Sequence, residues 1–305
     1  MTGIRKVDHV DELIGNTPLV DISALGGNAT VLGKLEFANP GGSVKDRIAK
    51  AILDDAEERG IINKDTTLVE STSGNTGVGL AMIAAARGYK LIVTMPETMS
   101  VERRNLIAAY GAQLVLTPGS EGIPGADRRK DELLAEIDNS FSPSQFTNPV
   151  NPRIHYQTTG PEIWADTDGT VDVLVAGVGT GGTISGAGKY LKEQNPGVYV
   201  VAVEPEESQV LAGKPAGPHK IQGIAPGFIA QTMDTEIYDE LFHVSTATAF
   251  EFQKRLSTEQ GVLVGISAGA AAAAATDIAS RPEFAGKVIV AILPDTGERY
   301  LSMIS

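Results

Sequence analysis

Short β-branched runs alternate with longer Ala/Leu-rich or amphipathic stretches along most of the chain. The runs predict strands near Thr66 to Glu70, Leu91 to Met95, Gln113 to Leu116, Asp172 to Ala176, Val198 to Glu204, Gly261 to Val264 and Val288 to Leu293. Helical periodicity lies between them, near Ser43 to Arg59, Thr76 to Arg87, Val101 to Tyr110, Asp127 to Ile137, Ile184 to Gln194, Thr246 to Glu259 and Ala268 to Ala279. Strand alternating with helix predicts parallel sheet covered on both faces, an α/β fold. The alanine run Ala270 to Ala275 reads as a buried, closely packed helix. Asn139 to Pro152, with its three prolines, interrupts the pattern and marks a place where two sub-domains could part.

Composition changes the picture in three ways. With Lys+Arg 25 and Asp+Glu 38 among 305 residues, the net charge is −13, so neither nucleic acid nor an anionic membrane is the expected partner. The absence of cysteine excludes disulfides, thiolate metal sites and thiol nucleophiles. The mixed, charged start Met1-Thr2-Gly3-Ile4-Arg5-Lys6 predicts no targeting segment, and the longest uncharged apolar stretch, Gly261 to Ala275, is shorter than the roughly 18 residues of a membrane span; the cytoplasm is the expected compartment. Glycine is in excess and clustered. At strand-to-helix turns such clustering lets backbone approach an anion.

Four turns have candidate chemistry. In Asn39-Pro40-Gly41-Gly42-Ser43-Val44-Lys45-Asp46-Arg47, Ser43 reads as a helix N-cap, which puts Lys45 in the first helical turn. A cation is disfavoured there, so the neutral amine needed by a nucleophilic or imine-forming lysine is favoured; a solvent-facing lysine is the plainer alternative. Ser71-Thr72-Ser73-Gly74-Asn75-Thr76-Gly77 gathers hydroxyls, an amide and backbone N–H groups at a helix start, which suits a carboxylate or phosphate, or simply a capped polar turn. Gly177-Val178-Gly179-Thr180-Gly181-Gly182-Thr183 contains G-x-G-x-x-G, and Glu204 follows about 20 residues on, as in a dinucleotide fingerprint. Thr180 and Thr183 equally suit a phosphate monoester, and spacing alone does not separate the two. Gly265-Ile266-Ser267-Ala268-Gly269 matches a hydrolase elbow, but that fold needs a later histidine and the last one is His243. Gly186-Ala187-Gly188-Lys189 lacks the Walker spacing, and His9, His155, His219 and His243 show no metal-ligand spacing.

A reactive lysine, a carboxylate turn, a phosphate cradle and a helix-opening serine together fit a phosphorylated aldehyde cofactor. The chain resembles the cysteine synthase (O-acetylserine sulfhydrylase) group of the β-family, fold type II, of pyridoxal-phosphate enzymes. The resemblance runs from Ile14-Gly15-Asn16-Thr17-Pro18-Leu19 through Asn39 to Arg47, Thr72 to Gly77, Met95-Pro96-Glu97-Thr98-Met99-Ser100, Gly179 to Thr183 and Lys220-Ile221-Gln222-Gly223-Ile224, to Pro294-Asp295-Thr296-Gly297-Glu298-Arg299-Tyr300. It implies two open, twisted, mostly parallel sheets with the cofactor in a cleft between two sub-domains. Residues 40–148 would form a smaller, mobile, carboxylate-binding part, and 1–39 with 149–305 a larger part holding the cofactor phosphate. Lys45 matches the cofactor-linked lysine and catalytic base, Asn75 the residue beside the ring hydroxyl, Gly179, Thr180, Gly181, Gly182 and Thr183 the phosphate loop, and Ser267 the partner of the ring nitrogen. Thr72, Ser73, Asn75, Thr76, Gln145 and Gly223 match substrate-binding positions.

The reaction implied is replacement of acetate in O-acetyl-L-serine by sulfide through an aminoacrylate on pyridoxal 5′-phosphate, giving L-cysteine and acetate. The resemblance also implies a homodimer and, as a partner, the carboxyl-terminal tail of serine acetyltransferase. Departures from the group are Ser71, Ala225-Pro226, Ala268 and the segment Gly119 to Lys130. Cystathionine β-synthase-like and thiosulfate-using enzymes share the core. More distant alternatives are a nicotinamide oxidoreductase using Gly177 to Gly182 and a non-enzymatic interaction protein.

Overall fold

A computed structural model describes residues 6–99 and 101–304. Ser100, the last residue of the Met95 to Ser100 string, and residues 1–5 and 305 lie outside the described residues. The strands are β1 (Leu19–Asp21), β2 (Thr30–Leu35), β3 (Thr67–Ser71), β4 (Lys90–Pro96), β5 (Gln113–Thr117), β6 (Ser140–Phe141), β7 (Val173–Gly177), β8 (Tyr199–Pro205), β9 (Glu240–Val244) and β10 (Val288–Leu293). The main helices are α1 (Lys45–Glu58), α2 (Asn75–Arg87), α3 (Val101–Ala109), α4 (Gly122–Glu136), α5 (Val150–Ile154), α6 (Gly160–Asp166), α7 (Gly182–Gln194), α8 (Thr246–Gln260) and α9 (Ile266–Ser280).

Two compact units result, and the chain crosses between them more than once. One comprises Asn39–Ser144 with the segment up to Ile14; the other comprises Gly15–Ala38 with Gln145–Ser305. The first holds a four-stranded sheet, β5-β4-β3-β6, paired in parallel throughout. Its strands are apolar on both sides: Leu68, Val93 and Met95 pack with Leu53, Leu80 and Ile83 of α1 and α2, while Val69 and Ile92 meet Leu133 of α4. A sheet buried on both faces needs continuous apolar runs, which is why the central strands β3 and β4 were legible; β5 was read although partly exposed, and the two-residue β6 was not.

The second unit holds a six-stranded sheet in the order β1-β2-β10-β7-β8-β9, parallel except for the β1–β2 pair. Alternation splits its strands between two cores. Val173, Val175, Val201 and Val203 face the alanine run of α9, which is almost wholly buried, and Leu174, Ala176, Val200 and Ala202 face Ile184, Ala187 and Leu191 of α7. Small alanines let α9 lie close: a Cβ on Gly269 would stand 2.1 Å from the Ala249 carbonyl of α8.

Three expectations change. The Gly261 to Val264 run is not a sheet strand; apart from a single bridge between Val264 and Thr296 it is a link from α8 to α9 that buries Val262 and Val264, with Gly261 left-handed at the helix end. The helix expected from Asp127 starts a turn earlier, at Gly122. Asn139 to Pro152 is only partly irregular: from Val150 the chain is helical, with α5, a π-helical turn His155–Thr159 and α6 in succession.

Candidate active site

In the first unit, the Asn39 to Arg47 turn is closed by its own aspartate. Asp46, fully buried, accepts from the Gly41 N–H at 2.6 Å, and Gly42 turns with φ +78° while donating to the Asn39 carbonyl at 2.8 Å. A Cβ on Gly41 would lie 2.5 Å from the Asp46 carboxylate, so no side chain fits there. Lys45 opens α1, as expected, but Val44 and not Ser43 holds the cap position. The Ser43 hydroxyl sits one residue earlier and accepts from the Lys45 N–H at 3.2 Å, so it still serves a donor of the first turn. Lys45 itself is half-buried.

The carboxylate-type turn follows β3 in the same unit. Gly74 is the extended cap of α2, no side chain caps that helix, and no acidic residue stands in its first turn. Its donors and the positive end of its dipole therefore suit an anion. Thr72, Ser73 and Asn75 are half-buried and Thr76 is buried. Thr72 fixes the turn twice: its N–H donates to the Thr94 carbonyl of β4 at 3.1 Å, and its hydroxyl accepts from the Gly74 N–H at 3.3 Å. Close helix packing links the two turns, because a Cβ on Gly79 of α2 would be 3.2 Å from Asp46 Oδ1 and 3.3 Å from the Ala49 methyl of α1. The structure thus brings Lys45 and Thr72 to Thr76 onto one unit, with Asp46 at the junction.

The second unit gathers the remaining residues. Gly181, at φ +77°, caps α7, which again has no side-chain cap and no acid in its first turn. The loop glycines are each pressed from behind. Added Cβ atoms would stand 2.5 Å from the Gly223 carbonyl at Gly179, 2.4 Å from Met233 Sδ at Gly181 and 1.8 Å from Asn151 Oδ1 at Gly182. Thr180 is buried, its hydroxyl accepting from Asn151 Nδ2 at 3.0 Å. Thr183 Oγ1 lies 3.2 Å from Nε2 of buried His155, whose Nδ1 lies 2.8 Å from Thr159 Oγ1 in the π-helical turn.

Ser267 stands second in α9 and is 3% exposed, with no hydrogen-bond partner for its hydroxyl among the described residues. The Gly265 cap before it is packed so tightly that a Cβ would lie 2.1 Å from Asp295 Oδ1; the Tyr300 hydroxyl holds that carboxylate from the other side. Gly223, at φ +95°, comes alongside: a Cβ there would be 3.8 Å from Ser267 Oγ. Gly179, Gly223 and Ser267 therefore converge. Gln145, also buried, joins this unit, because Asn151 donates to its carbonyl at 2.9 Å.

Sequence reasoning missed Asp46, Asn151, His155 and Thr232. Asp46 had a local signal, an acid just after a Pro-Gly-Gly turn. The others reach the loop before α7 from far along the chain, Asn151 and Thr232 at Thr180 and His155 at Thr183, separations that no spacing rule records.

These arrangements fit a phosphorylated pyridine aldehyde. An uncapped helix start beside two threonine hydroxyls suits a phosphate, and a buried neutral hydroxyl without a protein partner suits a ring nitrogen. The nucleotide alternative finds no support at its acidic residue. Glu204 is 1% exposed and already accepts from the Leu211 and Ala212 N–H groups at 2.9 and 3.2 Å, with His243 Nε2 at 3.2 Å. No three acidic or histidine side chains among the described residues form a metal-binding group.

Comparison with known proteins agrees. The family model described as pyridoxal-phosphate dependent enzyme matches residues 10–295. A cysteine synthase of Staphylococcus aureus is 53% identical over 301 residues, covering 98% of this chain and 96% of that protein. A cysteine synthase (OASS) structure from Entamoeba histolytica superposes with a TM-score of 0.96 at 42% identity, covering 99% of this chain and 91% of that one. An O-acetylserine-dependent cystathionine β-synthase from Helicobacter pylori superposes at 0.91 with 38% identity, covering 98% of each chain. The chain belongs to the family of pyridoxal-phosphate-dependent enzymes, and pyridoxal 5′-phosphate is its cofactor.

Proposed function

We propose that this enzyme is a cysteine synthase, replacing the acetate of O-acetyl-L-serine by sulfide to give L-cysteine and acetate. The observation that carries the reading is the 53% identity to a cysteine synthase across 98% of the chain. Pyridoxal phosphate, when bound, supplies the electron sink that makes the substrate α-proton acidic and lets the β-substituent leave.

The rest is assigned to side chains. Lys45 holds the cofactor, then takes the α-proton on Nζ and later returns it to the same carbon. By the resemblance, Thr72, Ser73, Asn75, Thr76, Gln145 and Gly223 are assigned to the substrate. Asn75 also faces the ring hydroxyl. Gly179 to Thr183 bind the phosphate through loop N–H groups and the Thr180 and Thr183 hydroxyls. Ser267 would meet the ring nitrogen with a neutral hydroxyl, which would not hold it protonated as a carboxylate would, and so would suit loss of the β-substituent. The Thr72 to Thr76 turn, on the smaller and more mobile part, shields the reacting carbon from water.

Two copies pair as a homodimer in the cytoplasm, and a serine acetyltransferase tail competes for the carboxylate turn; the resemblance supports both readings. Among the described residues no helix is long and apolar enough to cross a membrane.

Lys45→Ala tests the assignment. The variant should lose turnover and the visible absorption band of lysine-bound cofactor; a retained band would sink it. A cystathionine-forming reading has one observation in its favour, the Helicobacter pylori relative. Initial rates with sulfide and with homocysteine as acceptor, at equal O-acetylserine, separate the two.

A further inference from the structure

Two side chains outside the assigned set tie the phosphate loop to the segment of Gln145. Asn151, 1% exposed in α5, uses both of its amide protons: Nδ2 donates to the Gln145 carbonyl at 2.9 Å and to Thr180 Oγ1 at 3.0 Å. Its Oδ1 is buried without a partner and faces Gly182, so the amide is held there for its donors alone. Thr232, 5% exposed, makes a second bridge. Its hydroxyl donates to the Thr180 carbonyl at 2.7 Å, and its N–H donates to the Phe146 carbonyl at 3.3 Å. Two consecutive carbonyls, Gln145 and Phe146, are thereby joined to the two polar oxygens of one loop residue.

The same bonds orient a proton. Thr180 Oγ1 accepts from Asn151 and, at 3.4 Å, from the Gly182 N–H, which occupies both lone pairs. No described protein group accepts the remaining hydroxyl proton, so it is directed to an acceptor outside the protein, as a phosphate oxygen would be.

We propose that Asn151 and Thr232 are positioning residues that couple occupation of the phosphate loop to the placement of Gln145 at the substrate carboxylate. The proposal rests on the reaction assigned above and deepens it. An anion that takes the Thr180 proton fixes the loop, the two bridges pass that order to Gln145, and the coupling is reciprocal, so a carboxylate bound at Gln145 also secures the phosphate.

Thr232→Val removes one bridging hydroxyl and keeps the side-chain shape. In the holoenzyme, KM for O-acetylserine should rise about three- to tenfold with kcat within about twofold, and cofactor loss on dialysis should quicken by a similar factor, the scale of one buried hydrogen bond. Thr232→Ser should restore both. Asn151→Ala is the companion variant if Thr232→Val does not fold. A folded variant in which neither quantity moves, or in which only one moves, overturns the coupling; a lowered melting temperature alone counts as a structural role and overturns it too. Inorganic phosphate should raise the melting temperature of the wild-type apoprotein more than that of either variant. Failure of the wild type to make cysteine from O-acetylserine and sulfide would strike the reaction assignment, while the dialysis and phosphate measurements would still judge the bridges.

Discussion

The two units present their site residues in different ways. In the first, the tip of the carboxylate turn stands clear: Thr72, Ser73 and Asn75 are half-buried, and nothing lies within 4 Å of where a Gly74 Cβ would be. In the second, Gln145, Thr180 and Ser267 are each at most 6% exposed, and neighbours crowd Gly179, Gly181 and Gly182 to 2.5 Å or less. A group that stays through every turnover calls for a cradle fixed in advance, whereas a substrate that enters and leaves calls for a turn with room to adjust. Glycine serves both ends, by close contact in one and by openness in the other.

The largest effect should come from the crowded end. Gly182→Ala puts a methyl group 1.8 Å from Asn151 Oδ1, and the displacement should cost at least about 3 kcal/mol in urea unfolding, with the cofactor lost on gel filtration. Gly74→Ala is its counterpart. With open space and an extended φ of −115°, reduced chain entropy in the unfolded state offsets a poorer cap, and stability should stay within about 1 kcal/mol of wild type. Equal losses in the two variants would erase the distinction drawn between the units.

Beneath its open tip the first unit has a rigid base at Asp46. Asp46→Ala removes a buried charge-assisted hydrogen bond to the Gly41 N–H and leaves a cavity between α1 and α2, which should cost about 2–3 kcal/mol by urea unfolding. Because the next residue is Lys45, the proposed base, kcat should fall, while retention of the cofactor phosphate, proposed to bind in the other unit, should change little.

What the sequence revealed follows from which contacts are local. The short strands β1, β6 and β9 gave no signal, but β3, β4, β5, β7, β8 and β10 were legible because their runs are largely apolar, and the turns after β3 and β7 were legible because strand, glycines and helix start are contiguous. The strand β2 was not. Its pattern is broken by Gly33, where a Cβ would meet Leu293 at 2.6 Å, and by Lys34, fully buried through Glu162 Oε2 at 2.9 Å and the Thr17 carbonyl at 2.5 Å. Those partners exist only once the sheet has formed, and they also account for the Asn16 to Pro18 string: Thr17 Oγ1 donates to Glu36 at 2.6 Å, and the Asn16 N–H to Glu162 at 2.9 Å. The helical run from Val150 was hidden by Pro149, Pro152 and Pro161, each at or within the first turn of α5 or α6, where the missing N–H costs little.

A smaller effect should appear at a strained residue of the second unit. Ala225 adopts φ +48°, a left-handed conformation costly for any residue with a Cβ, and it is held there as its N–H donates to the Val178 carbonyl at 2.8 Å and its carbonyl meets His219 Nε2 at 3.1 Å. Ala225→Gly should raise stability by about 0.5–1 kcal/mol in urea unfolding. The gain should come with a faster loss of cofactor if rigidity next to Gly223 is part of what holds the cradle in place.

The smallest expected effect concerns the far edge of that unit. Arg281, just after α9, grips Glu240 of β9 with both guanidinium nitrogens at 2.8 and 2.9 Å, and the Tyr199 hydroxyl adds a donor at 3.2 Å. Chiefly through the Arg281 bond, the Glu240 carboxyl is held below its ordinary value of 4.5. A carboxylate with a lowered folded-state pKa contributes stability that is fully present above the unfolded value and disappears as pH falls through the folded one. The pair is partly solvated, so its whole contribution should be about 1 kcal/mol or less. Arg281→Gln should therefore lower the melting temperature by a constant, small amount above the ordinary carboxyl value, and the wild-type and variant curves should converge as pH falls progressively below 4.5. Cofactor retention at neutral pH should not change, since the pair lies at the sheet edge while the loop before α7 follows the interior strand β7. A change in retention as large as that of Gly182→Ala would mean that the cradle depends on the entire sheet and not on the neighbours that crowd its glycines.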